Sequence, residues 1–161
     1  KANPYCQIIL MLNYNACRIS EFLDLKKENV HLKEQYFDVV AAKTENGVRK
    51  VPIADKLLPF YEAWFERSTC EYLLRTTKGQ HLDYFNYCDT YWDPLMEEYD
   101  MKHTPHDTRH TCISMMADAG VAPTIQKKIA GHSGAMSLTE RVYTHLDIQT
   151  LIDGINMICP V

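Results

Sequence analysis

The dipeptide Asn46-Gly47 sits between two β-rich runs in a chain whose other apolar residues recur mainly at helical spacing. Asn-Gly is the strongest short signal for a tight hairpin. It therefore predicts one antiparallel pair, Tyr36–Ala42 with Val48–Ile53, inside an otherwise helical molecule. A two-residue turn pairs Lys43 with Lys50, Thr44 with Arg49 and Glu45 with Val48. Alternation then directs Val40, Ala42, Val51 and Ile53 inward and both lysines outward. Like charges facing each other are mildly unfavourable, and an anionic partner or water would relieve them.

The remaining segments read as helices. Tyr5–Tyr14 has Pro4 near its start and Ile8, Ile9 and Leu12 on one face. Arg18–Leu25 is short, with Ile19, Phe22 and Leu23 at helical spacing and Ser20 and Glu21 in its first turn. Asp55 reads as the N-cap of a helix running to about Arg67. Cys70–Thr76 reads as a third short strand, and 83–99 as a helix kinked at Pro94. From Pro105 only helices are expected: 106–119 ending at Gly120, 123–130 ending at Gly131, 137–145 and 147–156. The predicted class is mostly α with a small antiparallel β-sheet (α+β), in a single domain over residues 1–161. That length can bury a sizeable core.

Composition narrows the function classes. The longest apolar run, residues 8–12, is far too short to cross a membrane. No signal-peptide pattern is visible. Six cysteines without a C-x-x-C pair suggest reduced thiols and a cytoplasmic setting. The net charge of −4 speaks against nucleic acid at first sight. However, residues 61–100 carry nine acidic and three basic side chains, so the rest of the chain is net positive. Local potential governs phosphate binding more than the total does.

Several side chains could carry chemistry. In order they are Arg18, Lys43, His106, Arg109, His132 and Tyr143. Two guanidiniums can hold a phosphate, a lysine and two imidazoles can move protons, and a phenol can attack. On a helix, His106, Arg109 and His110 share a face, which brings a planar fork for two phosphate oxygens beside imidazoles that titrate near neutrality. The same stretch permits a rival reading. His106 and His110 are spaced as in the H-E-x-x-H zinc helix, with Asp107 in place of Glu and His103 or His81 as a third ligand. Gly131 would leave His132 at the start of a loop. Tyr143 would need a base and nearby cations to act as a nucleophile.

Taken together these segments resemble the catalytic domain of the tyrosine recombinases, the phage-integrase family. The resemblance rests on Ala16-Cys17-Arg18-Ile19-Ser20-Glu21-Phe22-Leu23-Asp24-Leu25, Lys43-Thr44, His106-Asp107-Thr108-Arg109-His110-Thr111, Gly131-His132-Ser133 and Tyr143-Thr144-His145, in that order over nearly the whole chain. It implies that Arg18 and Arg109 clamp the scissile phosphate and His132 adds a hydrogen bond. Tyr143 would form a 3′-phosphotyrosyl link, Lys43 would protonate the leaving 5′-oxygen, and His106 would act as base. No metal or other cofactor is implied. Arg49 and Lys50 are candidate DNA contacts.

The implied partners are double-stranded DNA at attachment sites, further protomers in a tetrameric synapse and accessory DNA-bending proteins, with no membrane. The implied source is a bacterial phage or conjugative element. A DNA-binding module without turnover is the other-class alternative. An N-terminal DNA-clamping domain, usual in the family, is not in the sequence, which suggests a catalytic fragment. Three departures stand out. Ala16 replaces a common glycine, Cys17 replaces a larger apolar residue, and the stretch from His132 to Tyr143 is slightly long. The amphipathic 147–156 helix packs on its own domain or on a neighbouring protomer.

Overall fold

The structure, a computed structural model, describes residues 3–40, 48–131 and 147–158. Among these residues the helices are α1 (Cys6–Leu12), α2 (Ile19–Leu23), α3 (Leu58–Arg67), α4 (Tyr84–Tyr87), α5 (Asp93–Glu98), α6 (Asp107–Asp118), α7 (Pro123–Ala130) and α8 (Ile148–Asn156). One antiparallel sheet joins β1 (Val30–His31), β2 (Tyr36–Val39) and β3 (Arg49–Pro52), in that order. The mostly α class with a small antiparallel sheet is therefore as expected.

Local chemistry explains several helix ends. Asp147 caps α8 by accepting from the Thr150 N–H at 2.8 Å, and Asp83 caps α4 by accepting from the Asn86 N–H at 3.0 Å. Pro123 opens α7, and Gly131 closes it at φ +75. Asp55 does not cap a helix. It begins a 3₁₀ turn, Asp55–Leu57, that leads into α3. The predicted kink at Pro94 takes the form of a π-helical turn, Cys88–Trp92, between α4 and α5. Proline offers no N–H, so the preceding turn loses a regular partner and widens. Trp92 Nε1 then donates to the His103 carbonyl at 2.8 Å and fixes the approach to α6.

The hairpin departs from its expected register. Val39 pairs with Arg49, Asp38 with Lys50, Phe37 with Val51 and Tyr36 with Pro52. A two-residue Asn-Gly turn would have put Phe37 and Val39 on the outer face. Instead both are buried, together with Val51, while Val40 is 56% exposed. Burying the larger apolar set outweighs local turn preference, because a shift of odd length exchanges the two faces of a strand. Lys50 consequently faces Asp38 rather than another lysine. The predicted pairing of Lys43 and the residues to Gly47 falls outside the described residues. The third strand is also misplaced in the sequence reading. It is β1, whereas 70–76 contributes only isolated bridges, Lys26 with Tyr72 and Arg75 with His81, around buried Leu73 and Leu74.

The core packs α2 against the sheet and α3. Phe22, Phe37 and Tyr61, all buried, form a triangle with each pair of ring centroids 6.0 Å apart. Aromatic groups at this spacing contribute attraction beyond their burial. α8 packs against α7 and β3 of its own chain. Gly154 permits that approach, since a Cβ there would lie 2.8 Å from Ile125 Cγ2. The register has a direct test in urea denaturation. Phe37→Ala should cost about 3–5 kcal/mol and Val40→Ala within about 0.5 kcal/mol; the reverse ranking would contradict the pairing.

Candidate DNA phosphate site

A sharp turn delivers the first arginine. Buried Asn15 accepts from the Cys17 N–H through Oδ1 at 2.9 Å, and Ala16 adopts φ +52. Side chains with a Cβ pay on the order of 1 kcal/mol in this left-handed region. Glycine would suit this position for its backbone freedom as much as for its size. Arg18 follows as the N-cap of α2. Glu21, three residues on, accepts from the Arg18 N–H at 3.0 Å and from its Nη1 at 2.8 Å. The first contact is the carboxylate half of a capping box. The Arg18 side chain remains 49% exposed, while that of Glu21 is 6% exposed.

Glu21 also binds a second guanidinium. Arg49, on the core-facing side of β3, donates through Nη2 to Glu21 Oε2 at 2.9 Å and through Nη1 to Oε1 at 3.4 Å. Burial pushes the Glu21 carboxyl up, but hydrogen bonds and charge from Arg49, with hydrogen bonds from Arg18, win and hold it below its ordinary value.

Arg109 lies on the first turns of α6 and is 2% exposed. Its Nη1 donates to the Ala16 carbonyl, tying α6 to the turn that precedes Arg18. Its Nη2 is buried with no hydrogen-bond partner among the described residues. Burial, then the charges of Arg18 and Arg49, lower the pKa of Arg109, with Glu21 acting in the opposite direction. The Arg109 guanidinium thus senses the charge of Arg18. Arg18 and Arg49 share the Glu21 carboxylate, Arg109 adds a third positive charge, and an anion would offset the excess. A buried donor without a partner costs free energy until something accepts from it.

His106 is exposed at the start of α6, its ring edge-on to His110 with centroids 4.8 Å apart. Asp107 Oδ2 accepts from the Thr104 N–H at 2.8 Å and fixes the chain just ahead of the helix. That bond holds the Asp107 carboxyl below its ordinary value. A zinc site on His106 and His110 would need a third ligand. Among the described residues no three His, Cys, Asp or Glu side chains converge.

Arg49 does not fit its expected role as a DNA-facing side chain. It is buried, and its guanidinium serves Glu21 and the Ile129 carbonyl. Lys50 lies on the opposite, exposed face of β3, 4.5 Å over the Tyr36 ring. Lys43, His132 and Tyr143 lie outside the described residues, as does the predicted helix 137–145. The sequence places Glu21 in the first turn of α2 and in the run shared with the family, without a partner. Its spacing of three from Arg18 carried the missed signal, and the shared strand face of Arg49 and Val51 carried the other.

The residues from 2 to 150 match the family model described as "Phage integrase family". The chain belongs to the phage integrase family. It is 25% identical over 154 residues to the tyrosine recombinase XerA of Pyrococcus furiosus, covering 92% of this chain and 52% of that protein. It is 29% identical to XerA of Thermococcus kodakarensis, covering 90% of this chain and 52% of that protein. The chain thus spans about half the length of these curated relatives. Among solved structures, the Tn1549 transposon integrase in complex with circular intermediate DNA superposes with a TM-score of 0.70 at 22% identity, covering 89% of this chain and 56% of that one. The integrase of mycobacterium phage Brujita gives 0.73 at 18% identity, covering 98% and 53%. These likenesses show the integrase catalytic fold. Among the described residues no helix is long and apolar enough to cross a membrane.

The Glu21 linkage predicts an acid limb of stability. A carboxyl whose folded pKa is lowered stabilises the fold above its unfolded value, and that contribution disappears as pH falls through the folded value. Stability should begin to fall as pH drops past the ordinary value of 4.5. Glu21→Gln should flatten this limb in urea melts taken across acidic pH. An unchanged slope would contradict the assignment.

Proposed function

We propose that this chain is the catalytic part of a site-specific DNA recombinase that cuts and rejoins strands through a covalent phosphotyrosyl intermediate. The observation that carries the reading is the buried, unsatisfied Nη2 of Arg109, whose Nη1 is tied to the Ala16 carbonyl two residues before the exposed side chain of Arg18, in an integrase fold. Two planar forks at one place suit the non-bridging oxygens of a single phosphate.

The chemistry follows from charge and proton balance. The Tyr143 oxygen attacks phosphorus as the bond from phosphorus to the 5′-oxygen breaks. His106 takes the phenolic proton, and Lys43 supplies one to the departing 5′-oxygen. Arg18, Arg109 and His132 stabilise the charge that develops on the phosphoryl oxygens. A partner strand's 5′-hydroxyl then attacks the phosphotyrosyl link and releases Tyr143. The covalent link conserves the phosphodiester's bond energy, so no nucleotide is consumed. The substrate is duplex DNA at attachment sites. The working form is a tetramer on two such sites, aided by DNA-bending proteins, in the cytoplasm of a bacterium that carries a phage or conjugative element. Lys50, outward on the sheet, is retained as a candidate phosphate contact.

A duplex nicked near the cleavage position allows a short fragment to diffuse away and traps the intermediate. The protein should form a covalent adduct with it, visible by denaturing gel, and Tyr143→Phe should abolish the adduct while leaving DNA affinity intact. Absence of an adduct on every attachment-site duplex would overturn the proposal.

Arg18→Lys tests the clamp. A single ammonium cannot hold both Glu21 and a phosphate in a planar fork, so adduct formation should fall by about 100-fold or more with little change in affinity. DNA affinity should drop steeply as salt rises, and a flat response would contradict a phosphate-centred surface.

A further inference from the structure

Arg49 connects three segments that the chain separates widely. It rises from β3 on the core-facing side and is 7% exposed. Its Nε donates to the carbonyl of Ile129 at 2.8 Å, in the last turn of α7. Its two terminal nitrogens grip the Glu21 carboxylate that also holds Arg18. Nη2 lies 3.7 Å from Cys17 Sγ, beside the turn that delivers Arg18. Gly131 closes the arrangement. It sits at φ +75, and a Cβ there would meet Arg49 Cδ, Nε and Cζ at 3.0 Å. The end of α7 is therefore shaped around this guanidinium.

Stability alone gives a weak reason for such a residue. Removing a guanidinium and a carboxylate from water costs about as much as their attraction returns, and apolar replacements often do as well. Geometry gives a stronger one. A planar fork can meet a carboxylate along one edge and a carbonyl along another at fixed angles, which an ammonium cannot reproduce.

We propose that Arg49 is a positioning residue for strand cleavage, holding the Glu21–Arg18 half of the phosphate clamp in register with the end of α7 at Ala130. This rests on the recombinase reading above. In this role Arg49 works through the Glu21 carboxylate and the Ile129 carbonyl. It acts on how well the clamp meets the phosphate.

The experiment measures single-turnover adduct formation by the full-length protein on two nicked duplexes. One carries the native phosphate at the cleavage position. The other carries a methylphosphonate, in which a methyl group replaces one non-bridging oxygen and removes its charge. Arg49→Lys should melt cooperatively and bind DNA within about threefold of the parent, yet form adduct about 10- to 100-fold more slowly on the phosphate. On the methylphosphonate its deficit relative to the parent should shrink by about tenfold, because less charge needs the clamp. Equal deficits on both duplexes, or none on either, would overturn the proposal.

Should Arg49→Lys fail to fold, Gly131→Ala crowds the Arg49 stem while keeping its charge. Gly120→Ala is its control, since Gly120 has φ +74 but open space where a Cβ would go. Gly131→Ala should show the phosphate-selective deficit and Gly120→Ala should not. Equal behaviour of the two would overturn the proposal. A parent protein that makes no adduct on either duplex would count against the recombinase reading itself.

Discussion

The carboxylate of Glu21 is the group on which the rest of the site depends. It is nearly out of water, yet it accepts from the backbone and side chain of Arg18 and from both terminal nitrogens of Arg49. Without it, Arg18, Arg49 and Arg109 would repel one another across a low-dielectric region. With it, two of the guanidiniums are held in place and a positive excess remains. That excess is local, so the chain's formal net charge of −4 does not set the potential at this site.

The fold supplies the rigidity behind this arrangement. The Phe22, Phe37 and Tyr61 rings lock the short helix behind Arg18 to the sheet and to α3. Arg109 closes the other side by reaching the Ala16 carbonyl, so the two arginines are tied through one turn of backbone. α7 and α8 stack against β3, whose Arg49 reaches back to Glu21. Each cation that could meet a phosphate is thus supported by an element far away in sequence. Such support is what precise recognition of a small anion requires.

Helices were largely legible in the sequence because amphipathic spacing and end signals agree. Pro123 and Gly131 bounded α7, and Asp147 and Asp83 capped where their side chains could reach a free N–H. The hairpin was legible as a hairpin but not in its register. Asn46-Gly47 argued for a tight turn, whereas the burial of Phe37 and Val39 set the pairing, and local turn chemistry carries less free energy than two core side chains. The strand β1 was missed because two residues hold no alternation to read. Arg18 and Arg109 were legible as candidates from residue type and order. The shared hold of Glu21 on Arg18 and Arg49 was not, because an ion pair between residues 21 and 49 leaves no periodic trace. Ala16 looked like a small residue in a glycine's place, and only the backbone shows the positive φ that makes glycine favourable there.

In the proposed reaction Arg18 and Arg109 serve one phosphate. The most direct measurement is a structure of the Tyr143→Phe protein bound to a nicked attachment-site duplex. A single scissile phosphate should lie within hydrogen-bond reach, about 2.7–2.9 Å, of both the Arg18 guanidinium and Arg109 Nη2. Two separate phosphates, or an Arg109 whose Nη2 is met by a protein acceptor while the DNA lies elsewhere, would contradict it.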